Sequence, residues 1–318
     1  RCKVLAGSSA GRNCWGHRSP YGGSVCTWLK ERIFCYRERY YAIAKHTLLW
    51  QSLVIIMKIT SDKIDHGRAF DWGRASALYA RWRDIYPPVF YEKLLARGVG
   101  TQGQHLLDLG TGTGVIPRNM HSHGAMWVGA DISPEQIAEA KRLSIGSDIE
   151  YIVSPAERLE FPPRSFDGVT ACQCFWYFDH ERLEPKLYDF LKPDGKLLIL
   201  YMAWLPYEDE LARRSEELVL KYNPDWSGAG ETPREIEIPD VYRRHFEQSY
   251  SEVEKNKLRF TRESWHGRMK ACRGVGASLD EDELMRWDTE HLKLLKDIAP
   301  EPSSPIQRTM MQIITSLL

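Results

Sequence analysis

The stretch "LLDLGTGTGVIPRNM" at 106–120 constrains this chain more than any other: an apolar run breaks into Gly110, Gly112 and Gly114 and then resumes as a helix. Strand, glycine turn and helix together form the opening unit of a parallel α/β sheet. The glycines let a ligand approach backbone that side chains would otherwise block. The alternation continues downstream, where "QHLLDLG" (104–110), "MWVGAD" (126–131), "IEYIVS" (149–154), "FDGVTAC" (166–172) and "KLLILYMAW" (196–204) read as five strands separated by helices. A doubly wound, Rossmann-like sheet is expected. In "SPEQIAEAKRL", Ser133 suits an N-cap, Pro134 the first turn and Gln136 the capping-box position.

A chain of 318 residues can bury one large α/β core or two small ones. Lys plus Arg equals Asp plus Glu at 43 each, so no overall field draws it to nucleic acid or acidic lipid. The longest apolar run, 48–57, is half the length of a membrane span, so no transmembrane helix is expected. Seven cysteines, two of them (Cys172 and Cys174) at a buried strand end, suit reduced thiols in a cytoplasmic protein. That close pair has no further ligand nearby, so no metal site is expected.

Residues 1–56 begin with Arg1, hold four of the seven cysteines and show no sustained periodicity; they are read as an extension without its own function, the alternative being a targeting segment. The "GSSAG" at 7–11 matches a hydrolase elbow but lacks the flanking strand and helix. Residues 57–318 form the expected domain. Two helical segments over 75–98 break at Pro87-Pro88, and 205–248 is long enough to form a helical substrate cap after the fifth strand. A strand is expected at 251–260, helices at 262–272 and 280–298, and a last strand in the tail.

Asp131 lies 21 residues after Gly110, at the end of the second strand, where a carboxylate can accept hydrogen bonds from two ribose hydroxyls. Asp108, two residues before the first glycine, would repel a pyrophosphate but suits a cation. A ligand carrying adenosine, an ammonium and a sulfonium fits both carboxylates. That ligand is S-adenosylmethionine.

"LLDLGTGTG", "WVGADISPEQI", "SPAERLEFPPRSFDGVTACQCFWYFDH" and "LKPDGKLLIL" resemble the successive motifs of class I S-adenosylmethionine-dependent methyltransferases, in particular the methyltransferase type 11 group that includes ubiquinone and menaquinone biosynthesis enzymes. The resemblance implies a seven-stranded sheet of order 3-2-1-4-5-7-6 with the last strand antiparallel. It also implies that Gly110 and Gly112 approach the methionine part of the cofactor, with Thr111 and Gly114 of the same turn as further cofactor candidates, that Asp131 holds the ribose hydroxyls and that Ile132 packs on adenine. The family commonly carries Gly-Asp-Ala-Glu after its third strand. Here Ser154-Pro155-Ala156-Glu157 stands there, so the acidic adenine contact is missing, while the Ala156 amide and Glu157 remain.

Gln173 and Trp176 after the fourth strand are further cofactor candidates, through the methionine part and the sulfonium. Tyr79 and Arg83 share a helical face at i and i+4 and are candidates for the cofactor carboxylate. Trp204, Arg268 and Arg273 are substrate candidates, the arginines for an anionic group, although such residues are usually solvent-exposed. Tyr177, His180, Tyr201 and His266 are candidate bases, with no spacing that singles one out. The reading is a methyltransferase acting on a small-molecule acceptor, with no nucleic-acid or membrane partner and with monomer and homodimer both open. The alternatives are a nicotinamide-dependent oxidoreductase and a non-catalytic S-adenosylmethionine-binding protein. "YDFLK" (188–192) matches a dehydrogenase Tyr-x-x-x-Lys pair but ends at Pro193 before the fifth strand. A nucleic-acid methyltransferase would need a basic face and a base-binding tetrad where "CQCFWYF" stands.

Overall fold

Strand β1 (His105–Leu109) is buried along four of its five residues. It pairs parallel with β2 (Met126–Asp131) on one side and with β4 (Phe166–Cys172) on the other. β3 (Glu150–Val153) extends the sheet beyond β2, and β5 (Leu191–Trp204) extends it beyond β4. β7 (Ile306–Leu317) runs antiparallel between β5 and β6 (Gln248–Phe260). The sheet order is therefore β3-β2-β1-β4-β5-β7-β6, as the resemblance implies. The computed structural model describes residues 64–299 and 306–318, so the 1–56 extension, its "GSSAG" and the 48–57 apolar run lie outside the described residues.

The central strands are apolar on both faces because helices cover both. One core joins Leu106, Leu198, Leu200 and Trp204 to Trp265 and Trp287; the other joins Leu107, Val169, Leu197 and Ile199 to Leu183 and Leu187. Each leucine fully buried there contributes roughly 1.5–3 kcal/mol.

The helices follow from local signals. α1 (Ser76–Trp82) and α2 (Pro88–Ala96) are separated by extended chain, with Pro88 opening α2. A proline is tolerated at that first position because the N–H it lacks would be unpaired anyway. α3 (Val115–Met120) follows the glycine turn, with Gly114 at its N-cap in the left-handed region. In α4 (Pro134–Leu143) the Ser133 hydroxyl accepts from the Gln136 N–H at 3.3 Å. Gln136 does not complete a capping box, because its amide nitrogen donates to the Trp72 carbonyl at 3.2 Å.

α5 (His180–Phe190) ends before Lys192, so Tyr188 and Lys192 do not share a helix and the dehydrogenase pair is absent. β5 starts earlier than the expected 196: Leu191 pairs with Phe166, and 192–195 bulge before Lys196 pairs with Gly168. The 205–248 segment contributes α6 (Glu210–Tyr222), capped by Asp209 accepting from the Ala212 N–H at 3.0 Å, and a 3-10 turn at Asp240–Arg244. α7 (Arg262–Lys270) and α8 (Glu281–Ile298) both carry capping boxes. Among the described residues no helix is long and apolar enough to cross a membrane.

Candidate functional site

The glycine turn leaves β1 at the carboxyl edge of the sheet. Gly110, Gly112 and Gly114 have φ of +55°, +55° and +75°, the left-handed region that only glycine enters without strain. A Cβ on Gly110 would lie 2.7 Å from Cys174 Cβ, so this glycine is also required by contact. A Cβ on Gly112 would meet nothing closer than the Tyr79 ring at 3.6 Å.

Two carboxylates flank the turn. Asp131, at the end of β2, accepts from the Gly112 N–H at 2.8 Å and from the Ser133 N–H at 2.9 Å, one bond per oxygen. Burial raises its pKa, and the amides of Ser133, Gly112 and Ile132 oppose the rise. Each oxygen keeps a second lone pair for a diol. Asp108 is 1% exposed and accepts from the Thr111 and Thr170 hydroxyls, both at 2.6 Å. Burial pushes its pKa up to about 7, against the lowering effect of those two hydroxyls. Thr111 therefore serves Asp108, and its side chain is spent.

Asp108, Gly110 and Thr111 line a cavity of about 20 Å³ together with Tyr79, Tyr86 and Cys172. That volume holds about one water, so a larger ligand enters only if Tyr79 and Tyr86 move aside. Tyr79 packs edge-on against Trp72, and the Arg83 guanidinium lies over the Tyr79 ring at 4.7 Å. Tyr79 of α1 thus reaches the glycine turn, and Arg83, at the C-cap of α1, stacks on it. After β3, the Ser154 N–H donates to the Asp131 carbonyl at 2.9 Å, which sets Pro155 and Ala156 beside Asp131. Glu157 is turned away, with one oxygen accepting from the Asp179 N–H at 2.9 Å. Ile132 is half-buried next to Asp131.

These residues suit S-adenosylmethionine. A buried carboxylate that pairs with no cation among the described residues offers a place for an ammonium, and the glycine cradle admits backbone approach. The outer lone pairs of Asp131 match two hydroxyls. Among the described residues no group of three potential metal ligands occurs.

Several candidates are placed differently from the sequence reading. Arg273 is no free anion site: its guanidinium pairs with Asp65 at 2.9 Å and donates to the Tyr177 hydroxyl at 2.9 Å and the Ser227 hydroxyl at 3.0 Å. Tyr177 is thereby held by a cation, and burial raises its pKa. His266 lies between α7 and α8, bonded to His291 and Asp288 at 2.8 Å each, so it is withdrawn as a base. His180 opens α5 and bonds the Tyr242 hydroxyl at 3.2 Å. Gln173 adopts φ +67°, and its amide nitrogen donates to the Met202 carbonyl at 2.6 Å. Trp204 is core rather than open wall, its indole N–H donating to Glu216. Trp176 is exposed and meets the Tyr201 ring edge-on at 4.8 Å.

Glu231, Glu216 and Asp65 were not legible as site residues. Tyr201 donates to Glu231 at 2.7 Å, and burial pushes the tyrosine pKa well above its ordinary value, with Glu231 adding to the rise. Glu216 accepts from Trp204 and from the Gly230 N–H, and burial brings it to about 7. No local motif marks these acids; only the return of 223–231 to the sheet edge brings them in.

Residues 107–199 match the family model for the methyltransferase domain. The chain is 36% identical over 125 residues to the demethylmenaquinone methyltransferase of Thermus thermophilus, covering 38% of this chain and 53% of that protein. It is 31% identical over 130 residues to a ubiquinone biosynthesis O-methyltransferase of Pseudomonas entomophila, covering 40% and 56%. The chain thus spans about half the length of the curated relatives it matches. A solved structure of a proposed type II methyltransferase from Anaeromyxobacter dehalogenans superposes with a TM-score of 0.50 at 19% identity, covering 73% of this chain and 96% of that one, a likeness of fold.

Proposed function

We propose, from the premise that residues 107–199 of this chain are a methyltransferase domain set in a class I sheet, that the protein binds S-adenosylmethionine across the glycine turn and methylates a small-molecule acceptor. The observation that carries the reading is the pair of carboxylates about that turn: Asp108, buried with only hydroxyl partners, and Asp131, tied to the Gly112 N–H. A nicotinamide cofactor would set a pyrophosphate against Asp108, and the two charges would repel. Curated relatives named for quinone-precursor methylation support a small organic acceptor.

When bound, S-adenosylmethionine supplies an electrophilic methyl group on a sulfonium. The chain's own residues hold and orient. Asp108 pairs the ammonium, Asp131 the ribose hydroxyls, and Ile132 with Ala156 borders the adenine. Arg83, stacked on Tyr79, faces the cofactor carboxylate. Holding donor and acceptor in attack geometry supplies much of the rate. Where the acceptor must lose a proton, Glu231 is the best placed base. Tyr201 keeps its proton and donates to Glu231, so the pair can relay a proton from the acceptor to the carboxylate. The 205–248 segment, which carries Glu216 and Glu231, is the acceptor-side cap in this reading.

Thermal melts with S-adenosylhomocysteine and with NAD discriminate the cofactor. S-adenosylhomocysteine should raise Tm and NAD should leave it unchanged; the reverse removes the methyltransferase reading. Incubation with methyl-labelled S-adenosylmethionine and a metabolite extract should then yield a labelled product, which a pure binding protein would not form.

A further inference from the structure

Arg268 is a buried cation that pairs with no carboxylate among the described residues. It is 3% exposed on α7, and two of its guanidinium nitrogens, Nε and Nη1, are buried without a hydrogen bond. Arg273, the other buried arginine among the described residues, is neutralised by Asp65. Leaving a guanidinium desolvated and unpaired is costly, and a group held that way is set to receive an anion.

The surroundings define a receptor. The Arg268 guanidinium lies over the Trp204 ring at 4.8 Å, and the ring's own N–H is already committed to Glu216. Burial first, then the charge of Arg83, bring the Arg268 pKa down to about 9, so it remains charged at neutral pH with a second cation close by. Gly267 permits this approach, since a Cβ there would fall 2.4 Å from the Trp82 indole nitrogen; its absence lets the end of α1 pack on α7. Trp82, which Gly267 meets, is followed by Arg83, and Tyr79 and Tyr86 of the same segment line the cavity at Asp108 and Gly110. Arg268 therefore lies beside the segment that walls the glycine-turn cavity.

Two guanidiniums stand here, each over an aromatic ring. Arg83, stacked on Tyr79 over the glycine turn, is placed for the carboxylate of the cofactor's amino-acid end. Arg268 sits on Trp204 at the carboxyl end of β5, two strands beyond β1 and on the side away from Asp131. Resting on the methyltransferase reading above, we propose that Arg268 anchors an oxyanion, carboxylate or phosphate, of the methyl acceptor, so that the substrate class is an organic acid or phosphomonoester rather than a neutral molecule.

The test uses the whole chain with Arg268→Met and Arg268→Lys, and benzoate, phenyl phosphate and benzamide as probes, each titrated with S-adenosylhomocysteine present. Benzoate or phenyl phosphate should bind at least tenfold tighter than benzamide, and whichever anion binds tighter identifies the source. R268M should abolish that preference and R268K should retain part of it. Because R268M removes an unpaired buried charge, its Tm without ligand should equal or exceed that of the wild type; a fall of several degrees assigns Arg268 a structural role and overturns the proposal. If R268M instead weakens S-adenosylhomocysteine and leaves 5′-methylthioadenosine, which lacks the amino-acid part, unaffected, the anion is the cofactor's own and the acceptor proposal falls. Binding of S-adenosylhomocysteine with no preference for anionic probes overturns the inference and leaves the methyltransferase reading standing. Arg268-dependent anion binding with no S-adenosylhomocysteine binding removes the methyltransferase reading and, with it, the assignment of the anion to a methyl acceptor.

Discussion

Replacing Asp108 by asparagine should stabilise the free protein at high pH while weakening the cofactor. The carboxyl is 1% exposed, and burial lifts its pKa from 3.8 to about 7. A folded-state pKa above the unfolded one means that the native state holds the proton more tightly. The stability contributed is fully present below pH 3.8 and is lost as pH rises to about 7. At 1.36 kcal/mol per pKa unit, that loss is about 4 kcal/mol, an upper limit that hydroxyl reorientation around Asp108 reduces. D108N carries no such loss. Urea or thermal unfolding at pH 5 and pH 8 should show the variant gaining on the wild type between the two values, and even about 1 kcal/mol of gain moves Tm by roughly 2–4 °C. Calorimetry at pH 8 should show S-adenosylhomocysteine binding weakened roughly 10–100-fold, the worth of one charge-assisted contact. Below pH 7 the wild type should release a proton on binding, seen as a heat that depends on the buffer. Equal destabilisation of D108N at both pH values, or undiminished binding, would refute the assignment of Asp108 as a strained counter-ion.

Gly110→Ala should cost more than Gly112→Ala: both incur about 1–2 kcal/mol for a left-handed alanine, but only the Gly110 Cβ would lie 2.7 Å from Cys174 Cβ, adding about 1–3 kcal/mol of overpacking. Denaturant midpoints check the order, and equal losses would remove the contact argument. Asp65→Ala strands the buried Arg273 guanidinium and should cost about 3–5 kcal/mol, with much of the loss recovered in a D65A/R273M double variant. Failure of that rescue would show that Asp65 matters through its bonds to Ser227, at 2.8 and 2.9 Å, rather than through charge.

The residues assigned to the nucleotide end are local in sequence. Asp108, the three glycines and Asp131 stand on one strand–turn–helix unit and the next strand, and buried parallel strands leave little freedom in how those pieces meet. The acceptor end was not readable in that way. Arg268 and Arg273 are five residues apart in one stretch and look alike in sequence, and both are buried. Their opposite fates depend on whether Asp65, some two hundred residues upstream, reaches the guanidinium. His266 looked like a free base until α8 supplied Asp288 and His291.

The sequence alone determines a doubly wound sheet built on five alternating strands and the glycine turn after the first of them, because periodicity and glycine placement act over tens of residues. The seven-stranded order followed from the family resemblance. Only the tertiary structure decided which charges stay unpaired. Pairing depends on which carboxylate the folded chain carries to a buried cation, and among the described residues none reaches Arg268.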